Sequence, residues 1–326
     1  MSAIVVKNLV KTFKVAQRTA GTLGAFAGLF HRRHCTVTAL DGISFTIQPG
    51  ELIGYIGPNG AGKSTTIKIL SGILLPDSGQ VEVLGLTPWK NRINTVRQLG
   101  VVFGQRTQLW WDLPVIESFD LLKDIYNVPP GDYRQRLDEL VTLLDLKEFL
   151  DVPVRQLSLG QRMRCDIAAA LLHGPRILYL DEPTIGLDAV SMLAVRDFIR
   201  QLNRQRKLTV ILTTHDMDDI EALCQRVLVI HQGHVLSDGS LDELRARFGR
   251  ERRLIVDLQD EDGVVQDPQA TVVRREGRRV TLAFDPAQVP PAALVARVTA
   301  AHQVRDLFVE NPPIDEIIAR IYRSAT

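Results

Sequence analysis

Gly57-Pro58-Asn59-Gly60-Ala61-Gly62-Lys63-Ser64-Thr65 is the stretch whose reading decides the fold. Before it runs ELIGYIG, residues 51–57, with the look of a buried strand; after it, TIKILSG continues at helical spacing. The pattern is G-x-x-x-x-G-K-[ST] between a strand and a helix, the setting in which such a loop binds phosphate. Its glycines let backbone N–H groups close around phosphate oxygens, and the helix predicted from Lys63 to about Gly72 adds its positive N-terminal end. Lys63 suits the β- and γ-phosphates of a nucleotide, and Ser64, with Thr65 beside it, suits a bound Mg²⁺.

Outward from the loop, strands and helices alternate. Strands are predicted at 3–10, 43–47, 80–85, 176–180 and 208–214; helices at 132–150, 158–173 and 190–206. A hairpin is expected over 227–239 with its turn at Gln232-Gly233, and Ser240-Leu241-Asp242-Glu243 fits a capping box. Alternation of this kind predicts an α/β fold with a mostly parallel core sheet, an antiparallel β subdomain and a helical insertion over 106–175. Beyond about Phe248 the texture changes to strand-like runs split by charged turns, with helical stretches at 291–301 and 314–323. Two domains are therefore expected: 1–245, and a small α+β accessory domain at 246–326.

Composition excludes some classes. The 326 residues are 45% hydrophobic with a formal charge of +1, which gives no global pull toward nucleic acid. Cys35, Cys165 and Cys224 form neither a CxxC pair nor a metal spacing, as expected of free thiols in a reducing compartment. No apolar run approaches the roughly 18 residues of a membrane span. The opening MSAIVVKNLVK lacks the layout of a signal peptide, so a cytoplasmic protein is expected.

Asp181-Glu182 follows a short apolar strand. Neighbouring strand residues point opposite ways, so Asp181 can face a metal while the turn redirects Glu182 toward an attacking water. With these acids the ordered motifs resemble the ABC ATPases over roughly residues 1–245. Gln105 in VVFGQ is similar to that family's Q-loop glutamine, and Leu157-Ser158-Leu159-Gly160-Gln161 to its signature sequence. Gly186-Leu187-Asp188 resembles the D-loop, and His215 the switch histidine. Gly160 precedes Asp181 by 21 residues, and Glu182 precedes His215 by 33, in keeping with the family.

The resemblance implies ATP and Mg²⁺ as ligands, with Ser64, Gln105 and Asp181 at the metal and Glu182, His215 and Gln105 as the catalytic set. It implies a head-to-tail dimer of two copies. Each nucleotide would then meet the phosphate loop of one chain and Ser158, Gly160, Gln161 and Asp188 of the other. The signature departs from the common LSGGQ at Leu159, which can still offer its N–H. Phe13, in VKTF, stands where the family stacks an aromatic on adenine; a core phenylalanine at a strand end is the alternative.

The combination FGQRTQLWWDLPV, LSLGQRMR, DEPTIGLD and the terminal ENPPIDEIIARIY resembles the ATPases of drug-resistance-type bacterial exporters. Such subunits lie on the cytoplasmic face of the inner (plasma) membrane, held there by separate integral membrane permeases. Importer ATPases share every motif, so only this branch resemblance favours export. An ABC ATPase acting on nucleic acid is the rival class. The single phosphate loop and the absence of a heptad run weigh against it, and no nucleic-acid partner is expected. Trp110 and Trp111 are either a contact for the permease or buried in the helical insertion; burial of both indoles would sink the contact. Residues 16–36 read as an inserted loop or as an amphipathic helix touching a membrane or partner. Arg274, Arg275, Arg278 and Arg279 flank a turn at Glu276-Gly277 and read as a solvated hairpin tip.

Overall fold

The computed structural model describes residues 2–16, 34–103, 106–249, 251–260 and 265–324. Gln105 and residues 17–33 of the inserted segment lie outside them. The chain divides into two compact units, Met1–Asp238 and Gly239–Thr326.

In the first unit, β1 (Ile4–Ala16) pairs antiparallel with β2 (His34–Ile47) on one side and with β4 (Ser78–Val83) on the other. Both β1 and β2 run further than predicted. Ala16 pairs with His34 and Val15 with Cys35, so the described ends of the 16–36 segment are ladder rather than loop or helix. The second sheet has the order β5-β6-β7-β3-β8-β9. Its strands are β3 (Leu52–Ile56), β5 (Leu99–Phe103), β6 (Ile177–Asp181), β7 (Thr209–Thr213), β8 (Arg226–His231) and β9 (His234–Ser240). From β5 to β8 all neighbours are parallel. Every residue of β3 and β7 is buried, as expected where helices cover both faces of a parallel sheet. Gln232 and Gly233 both take positive φ (47° and 80°) between β8 and β9, the geometry of a two-residue type I′ hairpin.

The helices of this unit are α1 (Lys63–Leu70), α2 (Arg92–Val96), α3 (Val115–Tyr126), α4 (Pro130–Leu143), α5 (Leu159–Leu171), α6 (Ala189–Arg206) and α7 (Met217–Leu223). The helix predicted over 132–150 instead starts at Pro130 and stops at Leu143. Asp145 turns the chain with a φ of 51°, and the fully buried Leu146 pins the exit. No glycine or proline marks that stop, so the apolar periodicity alone carried the prediction too far.

The second unit holds α8 (Leu241–Phe248), β10 (Arg252–Leu258), β11 (Ala270–Glu276), β12 (Arg279–Phe284), α9 (Pro291–Ala301), β13 (Val304–Glu310) and α10 (Ile314–Ser324). Ser240 and Glu243 form the capping box that opens α8. The sheet order is β11-β12-β10-β13, antiparallel throughout. Leu254, Val256, Val280, Leu282 and Phe284 line one face of it and pack with Leu294 and Val298 of α9. At the opposite end Ile314, Ile317, Ile318 and Ile321 bury one stripe of α10. The arginine-rich hairpin tip is exposed, as expected, and within it Arg279 pairs with Asp257 at 2.8 Å and Arg274 with Glu276 at 2.5 Å.

Candidate active site

Ligands of open parallel sheets gather beyond the C-terminal ends of the strands. Here β3 runs into the glycine loop, β6 into Asp181-Glu182 and β7 into Thr213 and, two residues on, His215. Register fixes their neighbourhood, because Phe103, Asp181 and Thr213 are aligned across β5, β6 and β7. A cleft of about 750 Å³ opens at this edge. It is lined by Gly57, Pro58, Asn59, Gly60, Gly62, Lys63, Ser64 and Thr65, together with Asp181, Glu182 and His215.

The loop leaves its helix end open. Gly62 precedes α1 at φ 108°, and no side chain caps the first turn. A Cβ on Gly62 would stand 2.5 Å from the Ala39 carbonyl oxygen, so only glycine admits both this conformation and this approach of β2. Lys63 is mostly buried and donates to the carbonyls of Gly57 (2.5 Å) and Pro58 (3.3 Å). Burial lowers the pKa of its ammonium group, and the Glu182 and Asp181 carboxylates act against that shift.

Asp181 accepts a short hydrogen bond from the Thr213 hydroxyl. Glu182 sits in the left-handed region at φ 54°, rare for a residue with a side chain, while its N–H donates to Thr213 O at 2.8 Å. Both acids line the cleft. Glu182 Oε1 then lies 3.3 Å from His215 Nδ1.

The remaining sequence-predicted residues gather elsewhere. Ser158, Gly160, Gln161 and Asp188 do not line the cleft, nor do Phe13 and Ala61. Ser158 caps α5: its hydroxyl accepts from Gln161 N, and its own N–H donates to Gln161 Oε1 at 2.9 Å. Gly160 lies against α6, where a Cβ would collide with Ser191 Oγ. Asp188 caps α6 and accepts from the N–H (2.9 Å) and hydroxyl (2.7 Å) of Ser191, bonds that hold its pKa below the usual carboxylate value. Leu159, the departure in the signature, rests its Cδ2 beside Gly186. Phe13 is half-exposed and faces Val37 across the ladder. Asp77 holds Lys11 at 2.7 Å and Thr12 N at 2.6 Å, and these partners draw its carboxyl down to about 2.

The sequence reading missed Ala39, Phe103, Arg106 and Ile185 as lining residues. Arg106 follows Gln105 directly, so its position past β5 was the available signal. It also missed a clamp on the far side of α5. Asp166 accepts from Thr107 Oγ1 (2.8 Å) and Gln108 N (3.1 Å), and burial pushes its carboxyl up to about 6. Trp110 and Trp111 are 39% and 50% exposed, so the observation that would have sunk a contact role for them is not made. Trp111 O accepts from Arg155 N at 3.0 Å, and its ring lies 5.5 Å from the Arg162 guanidinium.

A phosphate loop at the C-terminal edge of a parallel sheet, with an aspartate, a glutamate and a histidine across one cleft, defines a P-loop ATPase. The model of the family described as ABC transporter matches residues 40–185. The daunorubicin resistance ATP-binding protein DrrA3 of Streptomyces coeruleorubidus is 32% identical over 296 residues, 89% of this chain and 93% of its own. The methionine import ATP-binding protein MetN of Geobacillus kaustophilus is 37% identical over 224 residues, 68% of this chain and 65% of its own. Among solved structures, the dimeric post-hydrolysis state of the ATP-binding cassette MJ0796 bound to ADP and Pi superposes with a TM-score of 0.60 at 26% identity. That match covers 73% of this chain and 98% of the other. The chain belongs to the ABC transporter ATP-binding proteins: it is an ATP-binding, ATP-hydrolysing subunit with the ABC ATPase fold.

Proposed function

We propose that two copies of this chain sandwich two ATP molecules head to tail and drive export through separate integral membrane permeases, from the cytoplasmic face of the membrane. The observation that carries the dimer is the division of the site within one chain. The phosphate loop, Asp181, Glu182 and His215 share a cleft that Ser158, Gly160, Gln161 and Asp188 do not enter. The likeness to a dimeric cassette supports the same reading. One relative favours export over import. The drug-resistance relative matches 89% of this chain, which reaches into the second unit, whereas the import relative matches 68%. Half-exposed Trp110 and Trp111 supply aromatic area for the permease contact.

In this reading the loop N–H groups and Lys63 hold the β- and γ-phosphates. Lys63 must exchange its bonds to the Gly57 and Pro58 carbonyls for phosphate oxygens. Ser64 and Asp181 offer hard oxygen donors in one cleft, a set that fits Mg²⁺, which keeps most of its shell as water and phosphate. Mg²⁺ would neutralise charge on the transferred phosphoryl group. Glu182 takes the proton of the attacking water, and His215, within reach of Glu182, orients the pair against the γ-phosphate. Gln105 is assigned to the metal and the water by the family resemblance alone. Phe13 stacks the adenine.

Partner identity and direction are tested together. The tagged chain is recovered from native membranes and its partners are identified by mass; integral membrane proteins are expected. Inside-out vesicles carrying that complex are then given MgATP and an anthracycline such as daunorubicin. ATP-dependent accumulation inside the vesicles supports export. Recovery with ribosomes or nucleic acid and no membrane protein would overturn the transporter reading.

A further inference from the structure

We propose that Asp219 is a positioning residue that holds the His215–Glu182 pair in register by tying together the loops that follow β6 and β7. The inference rests on the site reading above and adds to it a residue that touches neither nucleotide nor water.

The need for such a residue is visible at His215. Its side chain is 64% exposed, so packing cannot fix the imidazole. What fixes it is the backbone on either side. Thr214 Oγ1 donates to Asp219 Oδ2 at 3.3 Å and accepts from Asp216 N at 3.0 Å, bridging across His215. Asp216 is held in turn by Arg196 Nη2 at 3.4 Å. The Asp219 side chain is 0% exposed and receives Arg196 Nε at 2.5 Å. Its second oxygen also takes a short hydrogen bond from the Thr184 hydroxyl. Thr184 lies two residues after Glu182, in the turn where Ile185 N returns to Glu182 O and Leu187 N to Thr184 O. Arg196 stands on α6, the helix that Asp188 caps.

One buried carboxylate is therefore the common acceptor for the loop of Glu182, the loop of His215 and the helix of the D-loop. A buried acid is costly unless its lone pairs are satisfied, and here a guanidinium and two hydroxyls satisfy them. Asp219→Asn loses the charge that holds Arg196 and one of the two acceptor oxygens, so the three ties can no longer all be kept, while the phosphate loop, which contributes nothing to the cluster, is left as it was. The expected signature is a loss in turnover with nucleotide affinity kept.

The test is steady-state ATP hydrolysis and ATP binding by the full-length chain in five variants: Asp219→Asn, His215→Ala, the double variant, Thr214→Val and Thr214→Ser. Asp219→Asn is expected to lower kcat about 10- to 100-fold, the size of a small misplacement of reacting groups, with the ATP Kd changed less than about threefold. In the His215→Ala background Asp219→Asn should cost no more than about twofold further, because the pair it holds is gone. Multiplying losses in the double variant would overturn the inference while leaving the site reading intact. An unchanged kcat in His215→Ala would instead overturn the site reading. Should Asp219→Asn fail to fold, the threonine decides. Thr214→Val losing about tenfold with Thr214→Ser restoring it supports the inference, and equal rates for the two overturn it.

Discussion

Two helix N-termini carry the proposed ATP site, and they are built differently. The first turn of α1 follows a left-handed glycine and has no side-chain cap, which suits its N–H groups to phosphate oxygens. In the first turn of α5 the Ser158–Gln161 capping box takes up the N–H groups of Ser158 and Gln161. A helix end with part of its donors satisfied in this way holds its shape without a ligand, and the Ser158 hydroxyl must share or exchange its bond to Gln161 N when an anion arrives. The difference fits the proposed division of duties between the two halves of a shared ATP site. One end binds nucleotide in the isolated chain. The other is a surface braced by Gly160 on Ser191 and Leu159 beside Gly186, which in the proposed dimer serves the neighbour.

If that division is right, damage to the two ends should have different signatures. The largest effect is expected on the binding side of the comparison. Glu182→Gln removes the general base and should lower hydrolysis by about 10²- to 10⁴-fold while ATP still binds, trapping a closed dimer visible by size-exclusion chromatography. Parent-level turnover would remove Glu182 from its role. The next effect is on stability, at the signature helix. The Asp166 carboxyl is raised from 3.8 to about 6, so the native state prefers its protonated form. Its stabilising contribution is complete below pH about 4 and is lost as the pH rises through about 6. Asp166→Asn keeps an acceptor for Thr107 and Gln108. It should escape this loss, becoming more stable than the parent by up to about 3 kcal/mol above pH 6 and no more stable near pH 4, in denaturant unfolding.

Smaller changes sharpen the signature side. Gly160→Ala forces α5 off Ser191 and should cost about 10- to 100-fold in turnover with ATP affinity of the isolated chain unchanged. Loss of ATP binding in that variant would break the division of duties. Leu159→Gly restores the common motif, at a helix-propensity cost of up to about 1 kcal/mol. The N–H is kept, so hydrolysis should stay within about threefold of the parent and only the thermal midpoint should fall.

Much of this was legible in the residues because the chemistry is local. A strand, a glycine loop and a lysine at fixed spacing leave few alternatives, and Asp181-Glu182 announces itself at the end of an apolar strand. β5 escaped notice because LGVVF is five residues long and carries a glycine that packs against the Ala170 carbonyl. α7 escaped because its three acids, two of them exposed, hide the buried Asp219 among ordinary surface charges. The Asp219 cluster could not be read at all. Thr184 and Asp219 lie 35 residues apart, and only the parallel pairing of β6 with β7 brings their loops together. Leu159 was visible as an oddity, but its place beside Gly186 depends on a packing contact that no pattern encodes.

The central claim is that each chain supplies only half of each site. Subunit complementation tests it most directly. Lys63→Ala damages the nucleotide-binding half and Gly160→Ala the signature half, and each variant alone should hydrolyse ATP slowly. Mixed in equal amounts and allowed to exchange, half of the dimers carry one repaired site of two, so activity should rise to about a quarter of the parent rate. A mixture no more active than the average of its two components, with subunit exchange verified, would contradict the shared site.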